Sequence, residues 1–121
     1  MENFNKLTSA ETERLAILAE ECAEVIQIIG KILRHGYESH HPLNEYQSNR
    51  DLLTIELADV GLAMDLILED DLNRDNYEDA CVKKFKTKNK YWHHQDKDAE
   101  RTAMLDDIDE AKEMTEFYNV N

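Results

Sequence analysis

Two short acidic runs, Glu20-Glu21-Cys22-Ala23-Glu24 and Glu56-Leu57-Ala58-Asp59, sit inside stretches that otherwise read as strongly apolar helix. A carboxylate costs little on a wet helix face. Buried without a partner, it is expensive, or it stays neutral through a raised pKa. Carboxylates grouped on an apolar face therefore ask for a cation. Glu56 and Asp59, spaced i and i+3, lie on one side of a helix, and the nearest basic residue on that helix is Arg50. With two antiparallel helices side by side, Glu21 and Glu24 are expected to face Glu56 and Asp59 across the gap. Four carboxylates suit Mg²⁺ or Mn²⁺, hard ions that take oxygen ligands and retain waters. Retained waters leave positions for phosphate oxygens, and a water made acidic by the ion can attack phosphorus. Ferritin-like di-iron chemistry is the competing metal reading. It needs Glu-x-x-His pairs, and neither run contains one.

The elements that must position these groups are helices. Thr8-Ser9-Ala10-Glu11 has the form of a capping box and places a helix start near Ser9. Leu15, Leu18, Cys22, Val25, Ile26, Ile29 and Leu33 then recur at helical spacing on one face. Ile17, Ile28 and Ile32 add a second stripe, with Glu21 between the two, Glu24 at the edge and Glu20 pointing outward. A helix apolar on two sides needs more than one neighbour, as in a bundle. His35-Gly36 is a stop, with Gly available for a left-handed cap. Residues 37–49 read as a loop whose histidines are solvated.

The second helix is expected over residues 50–70, with Asn49 as N-cap. Apolar residues occupy nearly its whole circumference, leaving a narrow polar sector through Thr54, Gly61 and Asp65. Glu56 and Asp59 point away from that sector, inward. A third helix is expected from about Asp75 to His94, with Tyr77, Cys81, Phe85 and Trp92 on one face. Lys83, Lys84, Lys86, Lys88 and Lys90 make it the one basic cluster in the chain, a solvated face or an anion site. Beyond residue 95 the composition turns acidic, and Met104, Leu105, Ile108, Ala111, Met114 and Tyr118 trace a final amphipathic helix. Asp106, Asp107, Asp109 and Glu110 would face solvent there.

Composition agrees with an all-α chain. The 121 residues are 41% hydrophobic and 34% charged, with three Gly and one Pro, a helix-forming globular balance. One domain is expected, with a helical core over about 9–94 and an acidic extension over about 95–121. A net charge of −13 argues against non-specific nucleic-acid binding. Cys22 and Cys81 fall on apolar positions of different helices, reading as reduced core thiols. The polar start lacks a signal-peptide core, and Glu56, Asp59 and Asp65 interrupt the longest apolar run. A cytoplasmic protein with no membrane span is the expectation.

The two-part motif, Glu-Glu-x-x-Glu at Glu20, Glu21 and Glu24 followed by Glu-x-x-Asp at Glu56 and Asp59, resembles the signature of the MazG-like, all-α nucleoside triphosphate pyrophosphohydrolases. The likeness is to short, single-domain, phage-type or bacterial members and spans about residues 10–94. It implies an antiparallel helical bundle of the all-α NTP pyrophosphatase type. It also implies Mg²⁺-dependent hydrolysis of an NTP or dNTP to the monophosphate and pyrophosphate. Glu21, Glu24, Glu56 and Asp59 would be metal ligands, and Glu20 an accessory group that orients water or joins the metal shell. Lys84, Lys88 and Asn89 resemble the family's phosphate-binding residues after the second motif, and Lys31 is a further phosphate contact. A homodimer, or a tetramer built from dimers, is implied, because a second protomer commonly completes the base pocket. The acidic extension has no counterpart in that pattern.

Two other classes of function compete. One is a catalytically inactive helical relative that binds nucleotides or alarmones. The other is an acidic interaction protein, such as a DNA mimic, which requires Glu56 and Asp59 to lie on the outside.

Overall fold

The computed structural model describes residues 3–95, 113–115 and 117, excepting the side chain of Asn89. The chain is all-α. Three helices follow in order: α1 (Ser9–His35), α2 (Asn49–Asp70) and α3 (Arg74–Lys88), with a 3₁₀ turn at Asn89–Tyr91. Among the described residues, strand pairing is limited to an isolated bridge between His40 and Ser48. No described helix is long and apolar enough to cross a membrane. Contacts divide the chain into two units, Met1–Leu72 and Asn73–Asn121.

The first unit is an antiparallel pair of helices. Its start is the expected capping box: Thr8 Oγ1 accepts the Glu11 N–H, and Glu11 accepts the Thr8 N–H. Two features hold the pair in register at opposite ends. At one, Arg14 of α1 donates two hydrogen bonds, of 2.8 and 2.7 Å, to Asp71 at the end of α2. At the other, the buried Asn49 amide donates to the Gly36 carbonyl at 3.1 Å. Loop backbone straps the same end, where Asn49 and Arg50 N–H groups donate to the Ser39 and Tyr37 carbonyls.

Asn49 is therefore not the N-cap of α2. Ser48 caps it in a reciprocal box with Asp51. A hydroxyl serves an N-cap as well as an amide does, which frees Asn49 to tie the loop shut. Gly36 ends α1 at φ 88°, ψ 167°, a positive φ that favours glycine, but outside the left-handed helical region anticipated for it.

Which face of α1 is buried also differs from expectation. Ile28 is buried, and Ile17, Glu21, Glu24 and Ile32 are half-buried, so the second stripe is the inner one, with only Leu18 and Val25 of the first stripe half-buried beside it. The first stripe leaves Leu15, Cys22, Ile26, Ile29 and Leu33 exposed. A helix greasy on two sides buries only one of them against a single neighbour. Cys22 is thus an exposed free thiol, not a core one, while Cys81 is half-buried. On α2, Ala63, Ile67 and Leu68 are buried, each large side chain contributing roughly 1.5–3 kcal/mol. Leu57 and Leu62 lie exposed, so the wet surface of α2 is wider than the Thr54–Gly61–Asp65 sector, in which Gly61 is half-buried.

In the second unit, α3 begins one residue earlier and ends sooner than expected, its last turn tightening to 3₁₀ at Asn89. Such tightening satisfies carbonyls left over at a helix end. Asn73 Oδ1 accepts the Asn76 N–H at the start. Val82 is buried, and Phe85 meets Trp92 edge to face, with centroids 5.9 Å apart. The expected acidic C-terminal helix lies outside the described residues except at 113–115 and 117, which are helical.

Candidate metal centre

The inner face of α1 carries Glu21 and Glu24 one turn apart, and α2 answers with Glu56 and Asp59. One carboxylate oxygen from each of the four lies within 4.8 Å of the others. Glu21, Glu24 and Glu56 are half-buried. Asp59 is exposed, so the expectation that both α2 carboxylates turn inward holds for Glu56 only. At 100° per residue, i and i+3 positions diverge by about 60°, which leaves Asp59 at the rim.

The electrostatics are those of crowded like charge. Burial holds the Glu21 carboxyl above its ordinary pKa, and the charges of Glu24, Asp59 and Glu20 and a hydrogen bond with Glu24 push the same way. Glu56 is raised first by a hydrogen bond with Glu24, then by burial and by Glu24, Asp59 and Glu21. Every one of these causes disfavours the charged form, and a bound cation would offset them.

No basic side chain does that work. Among the described residues, the ion pairs are Arg14 with Asp70 and Asp71, and Arg50 with Glu38. Arg50, the nearest basic residue on α2, also stacks 4.4 Å over the Tyr37 ring. Meanwhile Glu21 Oε2 and Glu56 Oε2 are closed to solvent and have no hydrogen-bond partner. An all-oxygen, all-carboxylate donor set with two orphaned buried oxygens fits a hard divalent ion.

The remaining candidates fall elsewhere. Glu20 is exposed on α1, beside the cluster but outside the converging four. Lys31, half-buried, lines a separate cavity toward the loop end of the same helix pair. Lys84 and Lys88 are exposed on α3 in the second unit. Asn89 opens the 3₁₀ turn, and its side chain lies outside the described residues. His35, His40 and His41, weighed from sequence as metal ligands and read as solvated, are exposed; what that reading missed is the cavity around which they gather with Arg34 and Lys31. The signal was a density of histidines on both sides of Gly36.

Comparison with known proteins adds no relative: no family model matches the chain, and neither a curated protein nor a solved structure is significantly similar to it.

Proposed function

We propose that this chain is a Mg²⁺-dependent nucleoside triphosphate pyrophosphohydrolase of the MazG-like kind, which breaks the α–β anhydride of an NTP or dNTP with water. The observation that carries this reading is the convergence of Glu21, Glu24, Glu56 and Asp59, with two buried carboxylate oxygens left unpartnered. The order of the two motifs along the chain, matching the family signature, supports it. A bound Mg²⁺, or Mn²⁺ in its place, would supply Lewis-acid polarisation of phosphate oxygens and a more acidic water.

The chain's own residues would then divide the work. Glu21, Glu24 and Glu56 hold the cation from the half-buried side, where few competing waters reach, and Asp59 closes the set from the rim. Glu20, next to Glu21 and exposed, is placed to orient water. Lys84, Lys88 and Asn89 are assigned to phosphate by likeness to the family. The α1–α2 pair would be half of a bundle completed by a second protomer, as a dimer or a dimer of dimers. Support comes from the apolar surface that the protomer leaves open: Ile26 is 69% exposed, Leu33 82% and Leu62 65%. The reading as an acidic interaction protein is disfavoured by the half-buried Glu56.

The test is pyrophosphate release from a panel of NTPs and dNTPs, with and without Mg²⁺, run beside Glu56→Gln. Mg²⁺-dependent release that the variant lacks supports the enzyme. Binding without release from any of the panel would favour an inactive nucleotide-binding relative. Sedimentation velocity tests the oligomer, and a monomer at micromolar concentration would refute that part.

A further inference from the structure

At the loop end of the helix pair is a cavity of about 400 Å³. Its wall includes Lys31, Arg34 and His35 from α1, and His40 and His41 from the loop. Asn49 and Leu52 close it from α2. No Asp or Glu is among the lining residues. In a chain of net charge −13, that is a local reversal of sign.

Ordinary explanations for these cations do not cover them. None of Lys31, Arg34 and His35 has an ion-pair partner among the described residues. Two acids of this end are engaged elsewhere: Glu38 holds Arg50 at 2.7 Å, and Asp51 accepts from Ser48 in the α2 cap. Cations do suit a helix C-terminus, but here the start of α2 lies beside the end of α1. The two opposed helix ends offset each other, so side-chain charge decides the sign. The histidines here do not form a metal-binding group of three or more among the described residues. Among those residues, the group of three or more His, Cys, Asp or Glu close enough to share an ion is the carboxylate four.

One of the rings has a donor to give. His41 Nδ1 accepts the Leu43 N–H at 3.1 Å, which leaves the proton of the neutral ring on Nε2. His40 Nδ1 lies 3.0 Å from the His41 carbonyl and donates to it, a bond that fixes the ring at the cavity wall. Gly30 leaves room for Arg34 to fold back along α1, where a Cβ would lie 3.4 Å from its Nη1.

We propose that this cavity is an oxyanion site for a phosphate-class ligand, with pyrophosphate as its simplest form. Its volume is at the lower end of small-ligand pockets. Lys31 lies seven residues beyond Glu24 on α1, about 10 Å along the axis, and Leu52 four residues before Glu56 on α2, about 6 Å. Cavity and carboxylates thus lie along the same helix pair, the cavity nearer the loop. Oxyanion binding needs no metal and stands apart from the pyrophosphohydrolase reading. That the ligand is the phosphate end of a nucleotide substrate rests on that reading.

The test is calorimetric titration of pyrophosphate into the full chain with a metal chelator present, alongside NMR of the histidine ring protons. The wild type is expected to bind, with shifts at His40 and His41. The Lys31→Ala, Arg34→Ala double variant should bind at least about tenfold more weakly, with helicity by circular dichroism unchanged. The Arg74→Ala variant, which removes an exposed cation of α3 that has no part in either site, should bind as the wild type does. Absence of pyrophosphate binding by the wild type at millimolar concentration overturns the proposal. So does loss in the α3 variant with binding kept in the α1 variant, or binding that leaves the histidine protons unmoved. Glu56→Gln separates the two readings, since it should lose turnover yet bind metal-free pyrophosphate at least as well. Titration with a nucleoside triphosphate and with inorganic phosphate distinguishes a substrate's phosphates from the free anion.

Discussion

Glu21 Oε2 on α1 and Glu56 Oε2 on α2 are both closed to solvent, and neither has a hydrogen-bond partner. They belong to a set of four carboxylates whose oxygens lie within 4.8 Å of one another. The carboxyls of Glu21 and Glu56 are both held above their ordinary pKa by burial, by neighbouring charge and by hydrogen bonding with Glu24. An arrangement that costs stability in isolation is expected to return it when a cation binds.

The first expectation concerns that cation. Added Mg²⁺ or Mn²⁺ should raise the thermal midpoint at neutral pH. At a concentration about a hundred times Kd the stabilisation would be about 2.7 kcal/mol. Glu56→Gln should remove most of the shift. Equal midpoints with and without either ion would refute the metal centre.

In the metal-free protein, pH should act in two opposed windows. Glu21 and Glu56 have raised folded pKa values, so the stability tied to them is full below their unfolded values and is lost as pH rises through the folded ones. Asp71, lowered chiefly by its hydrogen bond from Arg14, and Asp51, lowered by bonds from Ser48, behave oppositely. Their contribution is present above the unfolded value near about 3.9 and is lost as pH falls through the depressed one. Chemical denaturation should therefore show stability rising as pH falls toward the unfolded Glu value of about 4.3, and falling below the unfolded Asp value of about 3.9. A Glu21→Gln, Glu56→Gln variant should flatten the upper limb only, and an unchanged upper limb would count against the cluster as its cause.

For turnover, Glu56→Gln and Asp59→Asn are each expected to lower pyrophosphate release at least about a hundredfold while leaving helicity intact. Retention of wild-type activity by either would show the ligands to be misassigned. Lys84→Ala should act mainly on KM, and an unchanged KM would return that lysine to a solvated face.

Adjacent residues at the start of α2 should respond differently. Ser48→Ala removes the cap and should cost about 1 kcal/mol. Asn49→Ala removes the part-buried hydrogen bond to the Gly36 carbonyl and should cost about 0.5–1.5 kcal/mol, loosening the loop as well. Hydrogen exchange at the residue 49 and 50 amides, which donate to the Ser39 and Tyr37 carbonyls, would separate them, with faster exchange expected for Asn49→Ala alone. If Ser48→Ala loosened the loop equally, the division of roles would be wrong.

How far the sequence reached can be followed residue by residue. The start of α1 was legible because a capping box is a local device, complete within Thr8 and Glu11. Convergence of Glu21 and Glu24 with Glu56 was legible because helical periodicity puts each pair on one side of its helix, and a short loop makes neighbouring helices antiparallel. Choosing between Ser48 and Asn49 as cap was not, since both residue types serve equally well by local rules. Only the closure of the loop against Gly36 distinguishes them.

Sequence by itself determined that the chain is helical, where its first two helices run, and which carboxylates share a side. These follow from spacing and from chemistry within a few residues. Tertiary structure alone decided which apolar stripe of α1 is buried, since both stripes satisfy the same periodicity and only one can meet α2. It left Cys22 and Asp59 in solvent and paired Arg14 with Asp71, which stand 57 residues apart in the chain. It also drew Lys31, Arg34, His35, His40 and His41 around one cavity. Long-range pairings of this kind leave no periodic trace, because each partner looks ordinary until the fold brings the other beside it.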